Sequence, residues 1–391
     1  MVHKIKLGDA EVKERRVLQL CAIESTVKAF LFPQILELRR RGFDVRTGFQ
    51  PLAQYPDVEL LKISPTKIEF PRQVRLWRVL RAAFQLRSYL RAESVTIVHV
   101  HTPSVALASR IFPRWFYGKG TRFFYTVHGY PFLWEGKGWR KRLLQLAERT
   151  LSRRTELTLC VSREDYSQAK EDRRFKGEIR YIGPGLPDSQ FQYCPVPPIE
   201  DQVRVLFVGR LVEEKGLLDL IHSLSLTSNV YLSLVGSNRG ERDKDFVATL
   251  TTAIEALGVG DKCLLLGQLP HSQVLEQIRN SHAVILPSYR EGVPYSLIEA
   301  MASGRPIITT DVRGCRELVR DGQNGFMVPP RAPVILAEAL NKFACLAHSE
   351  IQEMGTQAFQ QASTSYRLSD VIERLEKAYL DHGVVPSLPA G

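Results

Sequence analysis

Two cations at the end of an apolar run are the first residues of this 391-residue chain that could do chemistry. In Val208-Gly-Arg-Leu-Val-Glu-Glu-Lys-Gly216 the guanidinium of Arg210 and the ammonium of Lys215 share one turn, with Gly209 at the strand end and Gly216 ahead of a helical pattern. Arg binds phosphate oxygens in bidentate fashion and Lys acts as a point charge. Each charge-assisted bond is worth on the order of 1.5 to 3 kcal/mol, so the pair suits a diphosphate. The same charges would also suit an ordinary solvated loop. A Walker A loop is excluded, because Lys215 precedes its glycine and no Ser or Thr follows.

A second stretch, Glu291-Gly-Val-Pro-Tyr-Ser-Leu-Ile-Glu-Ala-Met-Ala-Ser-Gly304, reads as a turn entering a helix that ends at a glycine. The free N–H groups and positive end of such a helix attract anions. Ser296 and Glu299 have the S-x-x-E spacing of a capping box, so one role for Glu299 is to satisfy backbone donors at the helix start. Glu291, in a Gly-Pro loop beside an anion site, is placed to accept hydrogen bonds from sugar hydroxyls; the alternative is a solvated acid. His101 and His128 each follow an apolar run, and His99 lies inside one. For His128 the choice is between a ligand contact and a satisfied strand-end histidine.

Metal chemistry has little to stand on. Asp243-Lys-Asp245 is a formal D-x-D, yet it lies in a charged run opening a helical pattern. Cys21, Cys160, Cys194, Cys263, Cys315 and Cys345 show no C-x-x-C spacing, so free thiols are expected rather than a zinc site or disulfide framework.

These groups need strands to carry them. Short β-branched runs alternate with longer helical patterns in both halves, the mark of βαβ units around parallel sheets. Strands are expected at 17–23, 44–49, 95–100, 123–127, 157–161 and 179–182, then at 203–208, 230–235, 263–266, 283–286 and 306–309. At roughly 150 residues per domain the length allows two or three domains. The three prolines of Tyr193-Cys-Pro-Val-Pro-Pro-Ile-Glu-Asp-Gln202 suit neither a central strand nor a helix interior, which marks a linker. The expected division is 1–192, a linker at 193–202, a second domain at 203–365, and a helix and tail at 366–391 that return to the first domain. In open parallel sheets ligands collect beyond the carboxyl ends of the strands, so these polar groups are expected to converge on a cleft between the domains.

Charge divides with the domains. Residues 1–190 carry 35 Lys/Arg against 19 Asp/Glu, and the remainder 18 against 23. The basic surplus includes an amphipathic pattern from Arg72 to Arg91 and the cluster Trp139-Arg-Lys-Arg-Leu-Leu144. Near anionic lipid each such cation is worth about 1 kcal/mol, enough for a few to hold a protein at a membrane surface. An ordinary helix packed on a sheet with its arginines in water has the same pattern. No run reaches the 18 apolar residues of a membrane span and the first fifteen residues lack a signal-peptide core, which leads to an expectation of cytoplasmic residence. No nucleic-acid motif accompanies the basic charge, so a nucleic-acid partner is not expected.

Taken together, Gly209-Arg210, Lys215-Gly216, Glu291 and Glu299 in an E-x7-E pattern, and Ala300-Met-Ala-Ser-Gly-Arg-Pro306 resemble the signature of glycosyltransferase family 4. Thr310 to Phe326 resembles the loop and turn that close the donor site in that family. Ile97-Val-His-Val-His101 and Tyr125-Thr-Val-His-Gly-Tyr130 resemble its looser first-domain motifs.

The resemblance implies a GT-B architecture, an α/β fold of two Rossmann-like domains with the acceptor site mainly in the first and the nucleotide-sugar site mainly in the second. It implies that Gly209 lines the donor site, that Arg210 and Lys215 hold the donor diphosphate and Glu299 the ribose hydroxyls. Glu291, with the Gly292, Val293 and Pro294 backbone, would hold the transferred sugar, the helix start near Ser296 would add positive potential, and His128 would contact the sugar. Such a site neutralises the leaving group with groups placed in advance, so no metal or other cofactor is expected. Retention of anomeric configuration is also implied, a donor-phosphate oxygen taking the acceptor proton. The donor would be a UDP- or GDP-linked sugar. The acceptor would be a lipid-linked or polysaccharide hydroxyl at the inner face of a bacterial plasma membrane. A sugar-nucleotide epimerase of the same fold and a non-catalytic sugar-nucleotide-binding subunit are the alternatives. One departure is the loop after the first strand, often glycine-rich in relatives, which here reads Cys21-Ala-Ile-Glu-Ser-Thr-Val27. There Ser25 and Thr26 hydroxyls would replace backbone donors, or the loop would serve the acceptor.

Overall fold

The β-branched runs fold as two separate parallel sheets. The computed structural model describes residues 16–24, 27, 31–50, 68–70, 75–118, 120–130, 132, 138–237 and 241–386. Ser25, Thr26, Arg72 to Val74, the side chains of Asp243 to Asp245 and the tail from Ser387 lie outside the described residues.

The first sheet contains β1 (Arg16–Ile23), β2 (Val45–Gln50), β3 (Val95–Val100), β4 (Arg122–Val127), β5 (Leu157–Cys160) and β6 (Glu178–Tyr181), in the order β2-β1-β3-β4-β5-β6. Every pairing is parallel. Between the strands run α1 (Phe32–Arg40), α2 (Leu76–Ala92), α3 (Pro103–Arg110), the short α4 (Arg114–Tyr117), α5 (Gly138–Ser152) and α6 (Arg163–Glu171). The sequence explains why α2 docks where it does. Val79, Ala82, Ala83, Leu86 and Leu90 recur at helical spacing and are its buried residues. Each large apolar side chain so buried contributes about 1.5 to 3 kcal/mol.

The second sheet contains β7 (Val203–Val208), β8 (Val230–Val235), β9 (Cys263–Gly267), β10 (Ala283–Leu286), β11 (Ile307–Thr310) and β12 (Gly325–Val328), in the order β12-β11-β10-β7-β8-β9, again all parallel. Its helices are α7 (Leu217–Ser225), α8 (Glu241–Ala256), α9 (His271–Asn280), α10 (Tyr295–Ala302), α11 (Pro333–Ala344) and α12 (His348–Ser365). The last helix is α13 (Leu368–Asp381).

The chain divides into two units, residues 1–160, 168–182 and 372–391 in one and 161–167 with 183–371 in the other. This differs from the division expected from sequence at three places, the first being that residues 161–167 belong to the second unit. The expected linker 193–202 packs within the second unit: Val196 is buried, and the carbonyls of Cys194 and Pro195 accept from the buried guanidinium of Arg305 at 2.9 and 2.8 Å. Upstream, Leu186 N–H donates to Tyr366 O and Leu368 N–H to Leu186 O, so the change of unit comes at Ile182. The prolines interrupt regular structure there without freeing the segment from tertiary partners. The first expected domain therefore ends early. The last change of unit falls at 371/372, inside α13, rather than at 366.

In the first unit α13 covers the sheet. Its Tyr379 hydroxyl accepts from Gln19 Nε2 at 3.1 Å and lies 2.8 Å from His99 Nδ1, while His99 Nε2 lies 2.6 Å from Thr126 Oγ1. Arg41 of the α1 C-cap pairs with Glu376 at 2.7 Å.

Candidate active site

Strand order decides where the second sheet can hold a ligand. The chain runs from β7 outward to β8 and β9, then returns to β10 on the other flank of β7, so the carboxyl ends of β7 and β10 border the point where the topology reverses. The loop after β7 carries Gly209 to Gly216, and that after β10 carries Pro287 to Pro294. Sequence-predicted residues occupy both.

Close backbone packing joins the two loops. Gly216 has φ +68° and a Cβ there would lie 2.0 Å from Pro287 O, so only glycine fits. Tyr289 N–H donates to Glu214 O at 2.9 Å, stitching the loops a second time. Side chains then meet across the seam. The Lys215 ammonium is ion-paired with Glu291 Oε1, which also accepts from Ser288 Oγ at 2.8 Å. Both side chains of that pair are largely buried. Arg210 Nη2 reaches Glu214 Oε1 at 2.6 Å, and Arg290 Nη2 reaches Glu214 Oε2 at 2.5 Å. Burial pushes the Glu214 carboxyl up, but the guanidinia of Arg290 and Arg210 together hold it below its ordinary value.

Three cations thus surround two carboxylates, with formal charge +1. Beside them begins α10. Pro294 is its N-cap and supplies no side-chain cap, so the first-turn N–H groups of Tyr295 and Ser296 lack intrahelical partners. The helix starts one residue before Ser296, so Ser296 is no N-cap and the S-x-x-E spacing forms no capping box. Glu299 instead accepts from His271 Nε2 of α9 at 2.8 Å, and this bond raises the His271 pKa. Gly292, Val293 and Pro294 form the turn between Glu291 and α10. Gly314, φ +80°, packs against it so closely that a Cβ would stand 1.2 Å from Gly292 O.

The second unit therefore gathers Arg210, Lys215 and Glu291 into one charged cluster, with Gly209 and Gly292 to Pro294 in the same loops and Ser296 and Glu299 on the adjoining helix. Sequence reasoning did not single out Glu214, Arg290, Ser288 or His271. The consecutive Glu213-Glu214-Lys215 and Arg290-Glu291 charges were the available signal.

His128 belongs to the first unit, following β4. Burial lowers its pKa to about 4, so the imidazole is neutral near pH 7. His101 follows β3, fully enclosed, with rings 4.3 Å from His99 and 5.9 Å from His128. Burial, with the neighbouring His128 second, lowers His99 to about 3.

A cationic cluster beside a helix start at a sheet's switch point favours anions. Comparison with known proteins identifies the family. Residues 34–190 match the family model described as Glycosyltransferase Family 4, and residues 194–358 match the one described as Glycosyl transferases group 1. The chain is a family 4 glycosyltransferase. This transferase is 28% identical over 330 residues to EpsD of Bacillus subtilis (strain 168), which carries the name of a glycosyltransferase; the match covers 80% of this chain and 83% of EpsD. It is 23% identical over 395 residues to the capsular polysaccharide biosynthesis glycosyltransferase CapM of Staphylococcus aureus, covering 94% and 97%. Among solved structures, Anabaena HepE in complex with UDP and glucose superimposes with TM-score 0.75 at 18% identity, covering 94% of this transferase and all of HepE. The fold is GT-B, two Rossmann-like domains.

Proposed function

We propose that this transferase moves a hexosyl group from a UDP-linked sugar to a hydroxyl of a lipid-linked or polysaccharide acceptor, with retention of configuration and without a metal ion. The observation carrying the reading is the juxtaposition of Arg210, Arg290 and Lys215 with the start of α10 at the reversal of the second sheet. In the proposed reaction Arg210, Lys215 and the Ser296 end of α10 stabilise the diphosphate as the glycosidic bond breaks. Glu299 holds the ribose hydroxyls. Glu291, paired with Lys215, accepts from hydroxyls of the transferred sugar with the Gly292 to Pro294 backbone alongside, and His128 donates to that sugar. The acceptor hydroxyl attacks from the face the diphosphate leaves, and its proton passes to a phosphate oxygen.

Support for UDP comes from HepE, whose structure holds UDP and glucose. Support for a glycan acceptor comes from CapM, named for capsular polysaccharide biosynthesis. In this reading the enzyme works at the inner face of the plasma membrane, where lipid-linked acceptors are found.

The test is a thermal-shift screen of UDP-, GDP- and ADP-sugars in EDTA, followed by transfer with the donor that binds. A ligand held only by the native state raises stability by RT ln(1 + [L]/Kd). Stabilisation by UDP-sugars in EDTA, and NMR of the product showing the donor's anomeric configuration, are expected. A shift that needs divalent cation, or donor rearrangement without added acceptor, overturns the reading; the second result indicates an epimerase.

A further inference from the structure

The first unit buries most of its phenylalanines and tyrosines but displays its described tryptophans to solvent. Trp77, Trp115 and Trp139, all the tryptophans among the described residues, are 56%, 75% and 62% exposed. Burying one such ring stabilises a fold by several times RT, so three left in solvent call for a partner. The exposed large apolar residues of the second unit include no tryptophan.

The exposure follows helical geometry. On α5, Trp139, Leu143 and Leu146 stand at i, i+4 and i+7 on one stripe, each more than half exposed, with Leu144 beside them. The helix buries only Glu148, Leu151 and Ser152, at its far end. Arg140, Lys141 and Arg142 are exposed in the same turns. On α2 the outer face repeats the composition. Trp77, Arg81 and Phe84 take i, i+4 and i+7, with exposed Arg75 and Arg78 adjacent. Strands β2 to β5 advance across the sheet in one direction, so right-handed crossovers place α2, α3 and α5 on the same face. The outer stripes of α2 and α5 therefore belong to one side of the unit.

We infer that this side docks on the surface of an anionic lipid bilayer, with α5 lying in the interface plane. Trp139, Leu143 and Leu146 enter the headgroup boundary while Arg140, Lys141 and Arg142 reach lipid phosphates. Apolar stripe, aromatic anchor and flanking cations on one helix are the features of interfacial binding. The surplus of 35 Lys/Arg over 19 Asp/Glu in residues 1–190 gives the charge complementarity. Single-stranded nucleic acid would take the cations and stack on the tryptophans, but it offers nothing to Leu143 and Leu146. The biological sense of this docking rests on the proposed membrane-borne acceptor, whereas its measurement does not.

The test is co-sedimentation of the full chain with vesicles of phosphatidylcholine alone or with 30 mol% phosphatidylglycerol. Two triple variants are compared with wild type: Trp139→Ser with Leu143→Ser and Leu146→Ser, and Arg140→Gln with Lys141→Gln and Arg142→Gln. Wild type is expected to sediment with the anionic vesicles only, its tryptophan emission moving to shorter wavelength. Removing three cations is expected to weaken partitioning roughly 100-fold, and removing the apolar stripe at least about tenfold. Failure of wild type to sediment, equal binding to phosphatidylcholine alone, or undiminished binding by either variant overturns the inference. So does a dimer of wild type that the apolar variant dissolves, or RNA binding in place of vesicle binding. The UDP-induced thermal shift of each protein is measured alongside. Its loss in wild type counts against the donor reading, and its retention in the variants shows that their folds are intact.

Discussion

The ammonium of Lys215 and a carboxylate oxygen of Glu291 form an ion pair that bridges the loops after β7 and β10, and Ser288 Oγ donates to the same oxygen at 2.8 Å. Replacing Lys215 by Ala leaves a largely buried carboxylate with a hydroxyl as its remaining described partner, a loss of about 1 to 3 kcal/mol in stability. Its effect on turnover is expected to be larger. Lys215→Ala and Glu291→Ala are each expected to lower kcat about 100- to 1000-fold, with circular dichroism unchanged. The double variant is expected to lose less than the product of the two, because the residues act together. Wild-type turnover in either single variant would remove both from the site.

Gly314 offers a test that removes no functional group. A methyl there is directed at Gly292 O, 1.2 Å away, so Gly314→Ala must displace the turn that follows Glu291. The UDP-sugar thermal shift is expected to disappear along with a fall in Tm. Gly322→Ala is the control: its φ is +74° but its Cβ would meet nothing within 4 Å. That variant is expected to lose about 1 to 2 kcal/mol from the left-handed conformation alone and to keep the donor shift.

The His271 bond to Glu299 makes a prediction about pH. Its partner raises the His271 pKa above the ordinary imidazole value. The pair's stabilisation is thus fully present below that ordinary value and is lost as pH rises through the raised one. In the proposed donor complex, protonated His271 would also compete with ribose hydroxyls for Glu299. Donor KM is therefore expected to fall as pH rises through the His271 titration, and His271→Ala is expected to flatten that profile. A KM independent of pH from 6 to 9 in wild type would exclude the competition.

Acid should destabilise the protein for the opposite reason. Burial, its largest cause in each, lowers His99 to about 3 and His128 and His282 to about 4. Unfolded imidazoles take up protons near pH 6.5, so between that value and about 4 the unfolded chain binds protons that the folded one does not, and stability declines as pH falls. Tm is expected to drop steadily from pH 7 to 5. In His282→Asn the drop is expected to be shallower, on top of a cost for the bonds to Arg204 N and Pro198 O.

Apolar runs bounded by polar residues located most strands. β1, β3, β7, β8 and β10 lie within a residue of where the sequence places them. The strand β12, Gly325-Phe-Met-Val328, was missed. The linker was misplaced. Proline blocks regular hydrogen bonding, but it does not stop Val196 from packing or Cys194 O and Pro195 O from receiving Arg305. At the site, Arg210, Lys215 and Glu291 were legible because strand ends are where parallel sheets expose functional groups. Glu214, Arg290 and His271 were not, since a counter-charge brought in by tertiary folding resembles any surface charge until its partner is placed. The S-x-x-E spacing did not mark a cap, because Pro294 starts the helix one residue early.

The hydroxyl that reaches Gln19 and His99 belongs to Tyr379, 360 residues beyond Gln19 in the chain. During synthesis the strands of the first sheet all leave the ribosome before the helix that covers one face of it. At 5 to 20 residues per second, about 200 further residues take roughly 10 to 40 s. Through that interval the nascent sheet waits with Gln19 and His99 lacking their eventual partner, a window in which a chaperone can hold it and a stalled or shortened translation product would be left unfinished.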